Sequence, residues 1–246
     1  MTYAGLLMVL ALVLAARALT AFRPPGDRLA DGALAVAATL LVGLTFTRNA
    51  YVGLVAGALV LVLAVRPRLA LALVPVAVLL LLLLPASVRD RAASTFDRTD
   101  AAARDRLSMW SAGAEMIAQR PFSGVGPGRI KELYPVYRQP GFVEPSVGHL
   151  HNNLVNVAAE TGVPSALAYV AIVVAAFAGA RRLAGRERPA VRALARGALA
   201  ANVALFVAGL FEYNFGDDEI QRVMLVVLAL PFAAARVARA GVEPSS

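Results

Sequence analysis

The stretch Tyr3-Ala-Gly-Leu-Leu-Met-Val-Leu-Ala-Leu-Val-Leu-Ala-Ala-Arg17-Ala-Leu-Thr-Ala-Phe22 decides the fold. It carries one charge, Arg17, and matches the roughly 20 mostly apolar residues that a helix needs to cross a bilayer. Six more stretches of this kind follow, at residues 32–47, 50–65, 69–86, 164–180, 193–211 and 223–235. The second, third and seventh of the set are short, so their ends are soft. The turns Thr47-Arg48-Asn49 and Arg66-Pro67-Arg68 split what would otherwise be unbroken apolar sequence. Proline suits the second turn, because it disfavours helix at the residue before it.

Composition agrees with this reading. Of 246 residues, 59% are apolar and 16% charged, with a mean hydropathy of +0.67. A soluble domain sits near half apolar and a quarter charged, and a disordered chain is far less hydrophobic, so both classes are excluded. Without cysteine, a disulfide scaffold and a Cys-ligated metal site are excluded too. The expectation is an all-α polytopic membrane protein with about seven transmembrane helices. Four spans occupy residues 1–86. A large extracytoplasmic loop runs over 87–150, and residues 151–246 hold three spans and a cytoplasmic C-terminus.

The arginines set the orientation. The chain has 24 basic and 16 acidic residues, and Lys131 is its single lysine. With the N-terminus outside, 13 arginines fall on the cytoplasmic side, among them Arg17, Arg66, Arg68, Arg181, Arg182 and Arg236. Only four acids accompany them there. The short outer loops then hold just Arg48 and Arg222, and the last one is acidic, with Glu212, Asp217, Asp218 and Glu219. The opposite orientation would break the positive-inside rule, so N-out, C-in is expected. Topology thus accounts for the net charge of +8, and nucleic acid is not an expected partner. No signal-peptide pattern opens the chain. An odd number of spans with an outer N-terminus fits a chain that lacks earlier spans.

The loop at 87–150 is close to neutral, with nine basic and seven acidic residues, and it holds the single tryptophan, Trp110. Apolar periodicity from Leu107 to Ile117 predicts an amphipathic helix at the membrane surface.

Three features could carry chemistry. The run Gly148-His-Leu-His-Asn-Asn153 contains both histidines, His149 and His151. Histidine gains or loses a proton near neutral pH. The alternative is a polar helix start in which Asn152 or the preceding turn serves as cap. A metal site is the competing functional reading. It is disfavoured because residues i and i+2 lie on opposite sides of a helix, and because a carboxylate such as Glu144 or Glu160 would have to complete it. No metal and no cofactor are therefore expected. Arg48 is the second feature, a charge at the outer end of a span. It faces either a cavity or the outer headgroups. The third is Arg106-Leu-Ser-Met-Trp110 followed by Gln119-Arg-Pro-Phe-Ser-Gly-Val-Gly-Pro-Gly128. Its glycines allow a loop whose N–H groups hold an anion, or a structural turn leading out of the surface helix. Outer arginines with a histidine point to an anionic substrate, and to phosphate chemistry at the membrane surface.

These stretches together resemble the O-antigen ligase / O-antigen polymerase superfamily of bacterial envelope glycosyltransferases. His151-Asn152, nine residues, then Gly162-Val-Pro-Ser165 is similar to the ligase pattern of His-Asn, nine residues, Gly, two residues and a small residue or Tyr. Ser165 stands where Gly, Thr or Tyr is usual. Arg106-x-x-x-Trp110 and Arg120-Pro-Phe-Ser-Gly-Val-Gly-Pro-Gly128 resemble the run through the family's large periplasmic loop. Thr47-Arg48-Asn49-Ala50 resembles its arginine at the outer end of a span, with Val52 where the ligases often have Leu. The resemblance covers about residues 40–180.

The resemblance implies about twelve spans with both ends cytoplasmic, so the seven seen here correspond to a C-terminal portion that lacks five. It further implies transfer of a glycan from a polyprenyl-pyrophosphate donor to an acceptor hydroxyl, on a lipid or a glycan, at the outer face of the bacterial cytoplasmic membrane. Arg48 and Arg106 would bind the pyrophosphate and stabilise the charge that grows as it leaves. His151 would be the general base, the sugar would be transferred with inversion, and arginines would stand in for a metal. His149, Asn152, Arg104, Arg120, Tyr134, Tyr137 and Arg138 are the expected substrate-binding residues. A polysaccharide polymerase or a protein O-glycosyltransferase would share the donor chemistry. From other classes, a transporter or flippase and an inactive truncated remnant are the alternatives. No internal repeat and no mid-membrane charge favours transport.

Overall fold

The computed structural model describes residues 2–20, 23–68, 101–138 and 146–240. Among these the fold is all-helical, with no strand. The helices are α1 (Thr2–Leu19), α2 (Pro25–Leu44), α3 (Arg48–Val65), α4 (Ala101–Gln119), α5 (Ile130–Tyr137), α6 (Asn153–Thr161), α7 (Val163–Arg186), α8 (Pro189–Ala208) and α9 (Asp218–Arg239). A 3-10 turn at Asn214–Gly216 precedes α9.

Among the described residues, five helices are long and apolar enough to cross a membrane, namely α1, α3, α7, α8 and α9. The expected count of seven is therefore not confirmed among the described residues. The stretch 69–86 lies outside the described residues. The stretch 32–47 is helical as far as Leu44, but α2 starts earlier, at Pro25, and its first two turns carry Asp27, Arg28 and Asp31. Those charges shorten its apolar part. The buried Asp31 is paired with Arg17 and Arg23, each at 3.2 Å. Burying a carboxylate would otherwise be costly.

The chain divides into two compact units. The first comprises Met1–Val74, Val173–Ala208 and Asn214–Ser246. Its core joins Met8 and Leu12 of α1, Leu61 of α3, Ala200, Ala204 and Leu205 of α8, and Ile220, Met224 and Leu228 of α9. Lipid offers no hydrophobic drive to helix association, so close packing of small residues must supply it. Gly53 and Gly57, four apart on α3, do this against α8. A Cβ added at Gly57 would stand 2.8 Å from the Ala200 carbonyl oxygen and 2.9 Å from Ala204 Cβ. Elsewhere these helices expose Leu10, Val55, Leu63, Val174 and Leu225, as suits surfaces that face acyl chains.

The second unit comprises Pro75–Ile172 and Gly209–Tyr213. Its core gathers Met109, Ala112 and Met116 of α4, Ile130 and Tyr134 of α5, and Val147, Leu150 and Ala159. The amphipathic helix expected over 107–117 lies within the longer α4, whose apolar residues recur at helical spacing and face this core. Of the stretch expected as one large loop, residues 87–100 and 139–145 lie outside the described residues, and the described part carries α4 and α5.

Candidate functional site

The site is built where α6 begins. Asn152 is its N-cap, in an extended conformation, and its side-chain oxygen accepts hydrogen bonds from the Leu154 and Val155 N–H groups at 2.9 and 3.1 Å. Two donors that the first turn would leave without partners are thereby satisfied. The Asn152 amide also donates to the Leu210 carbonyl at 2.9 Å, and the Asn153 N–H donates to the Gly209 carbonyl at 2.7 Å. The segment Gly209–Tyr213 is thus tied to the helix start at two points. One turn into α6, the buried Asn156 accepts from the Leu150 N–H at 2.9 Å and fastens the turn that carries the histidines. Gly113 of α4 lies against Leu150 and Val155, whose side chains would have to shift to admit a Cβ there.

His149 and His151 precede the cap, so the helical spacing that put them on opposite sides does not apply. His151 has φ 48, in the left-handed region that non-glycine residues seldom adopt. The two rings meet edge to face, 4.3 Å between centroids, and both turn towards Glu212. The Nδ1 of His151 lies 3.1 Å from the Glu212 carboxylate, and that of His149 lies 3.6 Å from it. Glu212 is only 4% exposed and also accepts from the Tyr213 N–H at 3.1 Å. Both histidines are half-buried, so the cluster has a closed carboxylate side and an open imidazole side.

The electrostatics follow from this placement. Burial alone would raise the Glu212 pKa. The hydrogen bond to His151, the charges of His151 and His149 and the Tyr213 N–H outweigh it, so the carboxyl is held below its ordinary value. Burial, then repulsion from His151, lowers the pKa of His149, and Glu212 offsets part of this. The Tyr213 hydroxyl is pushed up by burial and by the charge of Glu160.

The remaining expected residues divide. Arg106 is half-buried on α4, seven residues before Gly113 and so on the same face, about 10 Å along the axis. Arg104, Arg120 and Arg138 are exposed on the same unit. Arg48 opens α3 in the first unit. Tyr137 is half-buried and donates its hydroxyl proton to Gln119 at 2.7 Å. Two expectations need correction. Tyr134 is fully enclosed among the core side chains of α4 and α5, with its hydroxyl near Ser108, and cannot line an open site. Asn152 uses its carbonyl oxygen and its amide to hold the fold, so it is a cap and a tether rather than a substrate ligand.

The glycine-rich loop is structural as well. The Val125 and Gly126 N–H groups donate to the last carbonyls of α6, Ala159 and Glu160, at 2.8 and 3.0 Å. The Gly128 N–H donates to the Glu160 carboxylate at 3.0 Å. These donors close a helix end and are not presented to an anion. Gly124 and Gly162, both with positive φ, let the loop and the helix end touch backbone to backbone. Glu160, one of the carboxylates considered for a metal, is therefore engaged elsewhere. Glu144 lies outside the described residues.

Sequence reasoning missed Glu212, which entered only as part of an acidic outer loop. The available signal was its position at the end of an apolar span, separate from the acids at 217–219.

The family model described as O-antigen ligase matches residues 33–170, more than half of the chain. That stretch contains Arg48, Arg106 and both histidines, while Glu212 lies beyond it. No curated protein matches the chain.

Proposed function

The chain belongs to the O-antigen ligase family, and from that premise we propose that it transfers a glycan from a polyprenyl-pyrophosphate donor to an acceptor hydroxyl at the outer face of the cytoplasmic membrane. The contact between His151 and Glu212 carries this reading. An ionised carboxylate only accepts hydrogen bonds, so the proton of neutral His151 sits on Nδ1 and the lone pair on Nε2. That nitrogen is then the base for the acceptor hydroxyl. The same division of labour orients the histidine of a Ser-His-Asp triad.

In the reaction, the acceptor oxygen bonds to the anomeric carbon as its proton passes to His151 Nε2. The bond to the pyrophosphate breaks on the opposite face, so the configuration inverts. Glu212 stabilises the imidazolium that forms. Arg106, always charged, neutralises the departing pyrophosphate, and no metal is needed for that task. Arg48 is proposed, on the sequence resemblance alone, as a second cation for the pyrophosphate. The orientation is N-out, C-in, which puts the 146–152 turn and Glu212 outside.

The test is transfer in membrane vesicles supplied with a polyprenyl-linked glycan. His151→Ala should abolish transfer while membrane insertion stays intact. Full activity in that variant overturns the assignment.

A further inference from the structure

His149, His151 and Glu212 also form the donor set of a candidate metal site. Their ligand atoms all lie within 4.8 Å of one another. A tetrahedral zinc ion with bonds of about 2.0–2.1 Å sets its ligands about 3.3–3.4 Å apart. The observed separations of His151 Nδ1 and His149 Nδ1 from the Glu212 carboxylate, 3.1 and 3.6 Å, bracket that edge. The carboxylate is buried and fixed by the Tyr213 N–H, so little ordering is left to do on binding. His149 Nδ1 accepts from the His151 N–H at 3.4 Å, a long hydrogen bond that shows this nitrogen carrying a lone pair, and a metal would replace it. The exposed side of the imidazoles leaves a fourth position for water.

We propose that His149, His151 and Glu212 bind one divalent transition-metal ion of the zinc type. Two imidazoles and one carboxylate suit zinc, whereas magnesium and calcium require oxygen ligands. Binding has a consequence that rests on the general-base reading above. A metal on Nδ1 of His151 displaces the Nδ1 proton contact with Glu212 and leaves the ring's proton on Nε2. That nitrogen can then no longer accept one, so bound zinc and acceptor deprotonation exclude each other.

The test uses the full chain in lipid nanodiscs, purified without a histidine tag and titrated with zinc chloride by calorimetry. Saturable binding of one zinc per chain is expected, with no heat from magnesium. His149→Ala and Glu212→Gln should each weaken binding by about 100-fold, a loss of the order seen when metal sites are damaged. Wild-type protein loaded with cobalt gives a readout independent of any variant's folding. Its visible absorption should have the intensity of a four-coordinate site. Absence of saturable zinc binding, affinity unchanged in both variants, or a weak spectrum of six oxygen ligands overturns the proposal. Zinc that binds as expected but leaves transfer unaltered sinks the general-base assignment instead, and the site stands.

Discussion

His151 Nδ1 and the Glu212 carboxylate stand 3.1 Å apart across 61 residues of chain. The contact joins the turn before α6 to the segment that follows α8. On the reading proposed above, it holds the proton of the neutral ring on Nδ1 and leaves Nε2 for the acceptor hydroxyl. Replacing the charge should therefore matter more than replacing the shape. Glu212→Gln is expected to lower transfer by about 10²–10⁴-fold, the range of general-base contributions. Initial rates in vesicles, at equal membrane insertion, are the check. A rate within twofold of wild type removes Glu212 from the reaction.

Asn152 holds the geometry that places His151. Asn152→Ala removes a helix cap, worth about 1 kcal/mol, and also the bond to Leu210. Thermal unfolding in detergent should show a loss larger than a cap alone explains, with transfer reduced as well. Asn152→Asp keeps the cap and loses only the donation to Leu210, so it should fall between the two. Equal stability of Ala and Asp variants would mean that the tether, not the cap, dominates.

The loop after α4 should respond to glycine replacement by position. A side chain at Gly162 would run into the Phe122 carbonyl, and one at Gly124 into that of Glu160, each with positive φ. Gly128 has φ +71 but open space around it. Gly128→Ala should then cost about 1–2 kcal/mol, the left-handed backbone term alone. Gly162→Ala and Gly124→Ala should cost clearly more and depress folded yield. Unfolding midpoints of the three variants rank them directly.

Acid should act on the site in two windows. Burial, and then His151, hold the His149 pKa below its ordinary 6.5, so the unfolded chain takes up that proton first. Stability should hold above about pH 6.5 and fall as pH drops from there to the folded-state value. Despite its burial, Glu212 is lowered by its His151 hydrogen bond and neighbouring charges. Its contribution is present above the ordinary carboxylate value and disappears as pH falls through the lowered one. His149→Gln should flatten the first window and, by removing one of the charges that lower Glu212, narrow the second. Unfolding midpoints across pH 3–8 test both, and an unchanged upper window contradicts the first.

Five of the expected spans were legible because bilayer thickness converts directly into a length of apolar sequence. That test works for α1 and α9 alike, one residue at a time. The face of α4 was legible through the spacing of Met109, Ala112 and Met116. Tyr134 could have been read the same way, since it follows Ile130 by four and shares its buried face. The histidine pair was misread for a local reason. A helix template was extended four residues too far towards the N-terminus, from Asn153 to His149. It carried the pair past a cap and a left-handed residue, where periodicity has no meaning. Glu212 was out of reach for a different reason. Its partner is distant in sequence, and the Asn152 and Asn153 bonds to Leu210 and Gly209 help bring it there. The glycine loop offered N–H groups that an anion could have taken, but the end of α6 was the nearer acceptor.

The backbone at residue 151 bends in a way that glycine or asparagine adopts more readily than histidine. On the general-base reading, folding and chemistry select different amino acids at that single position. A library of all side chains at 151, sorted for folded protein alone, should enrich glycine and asparagine. Sorted for glycan transfer, the same library should return histidine. The gap between the two rankings would measure how much stability the site gives up for its base.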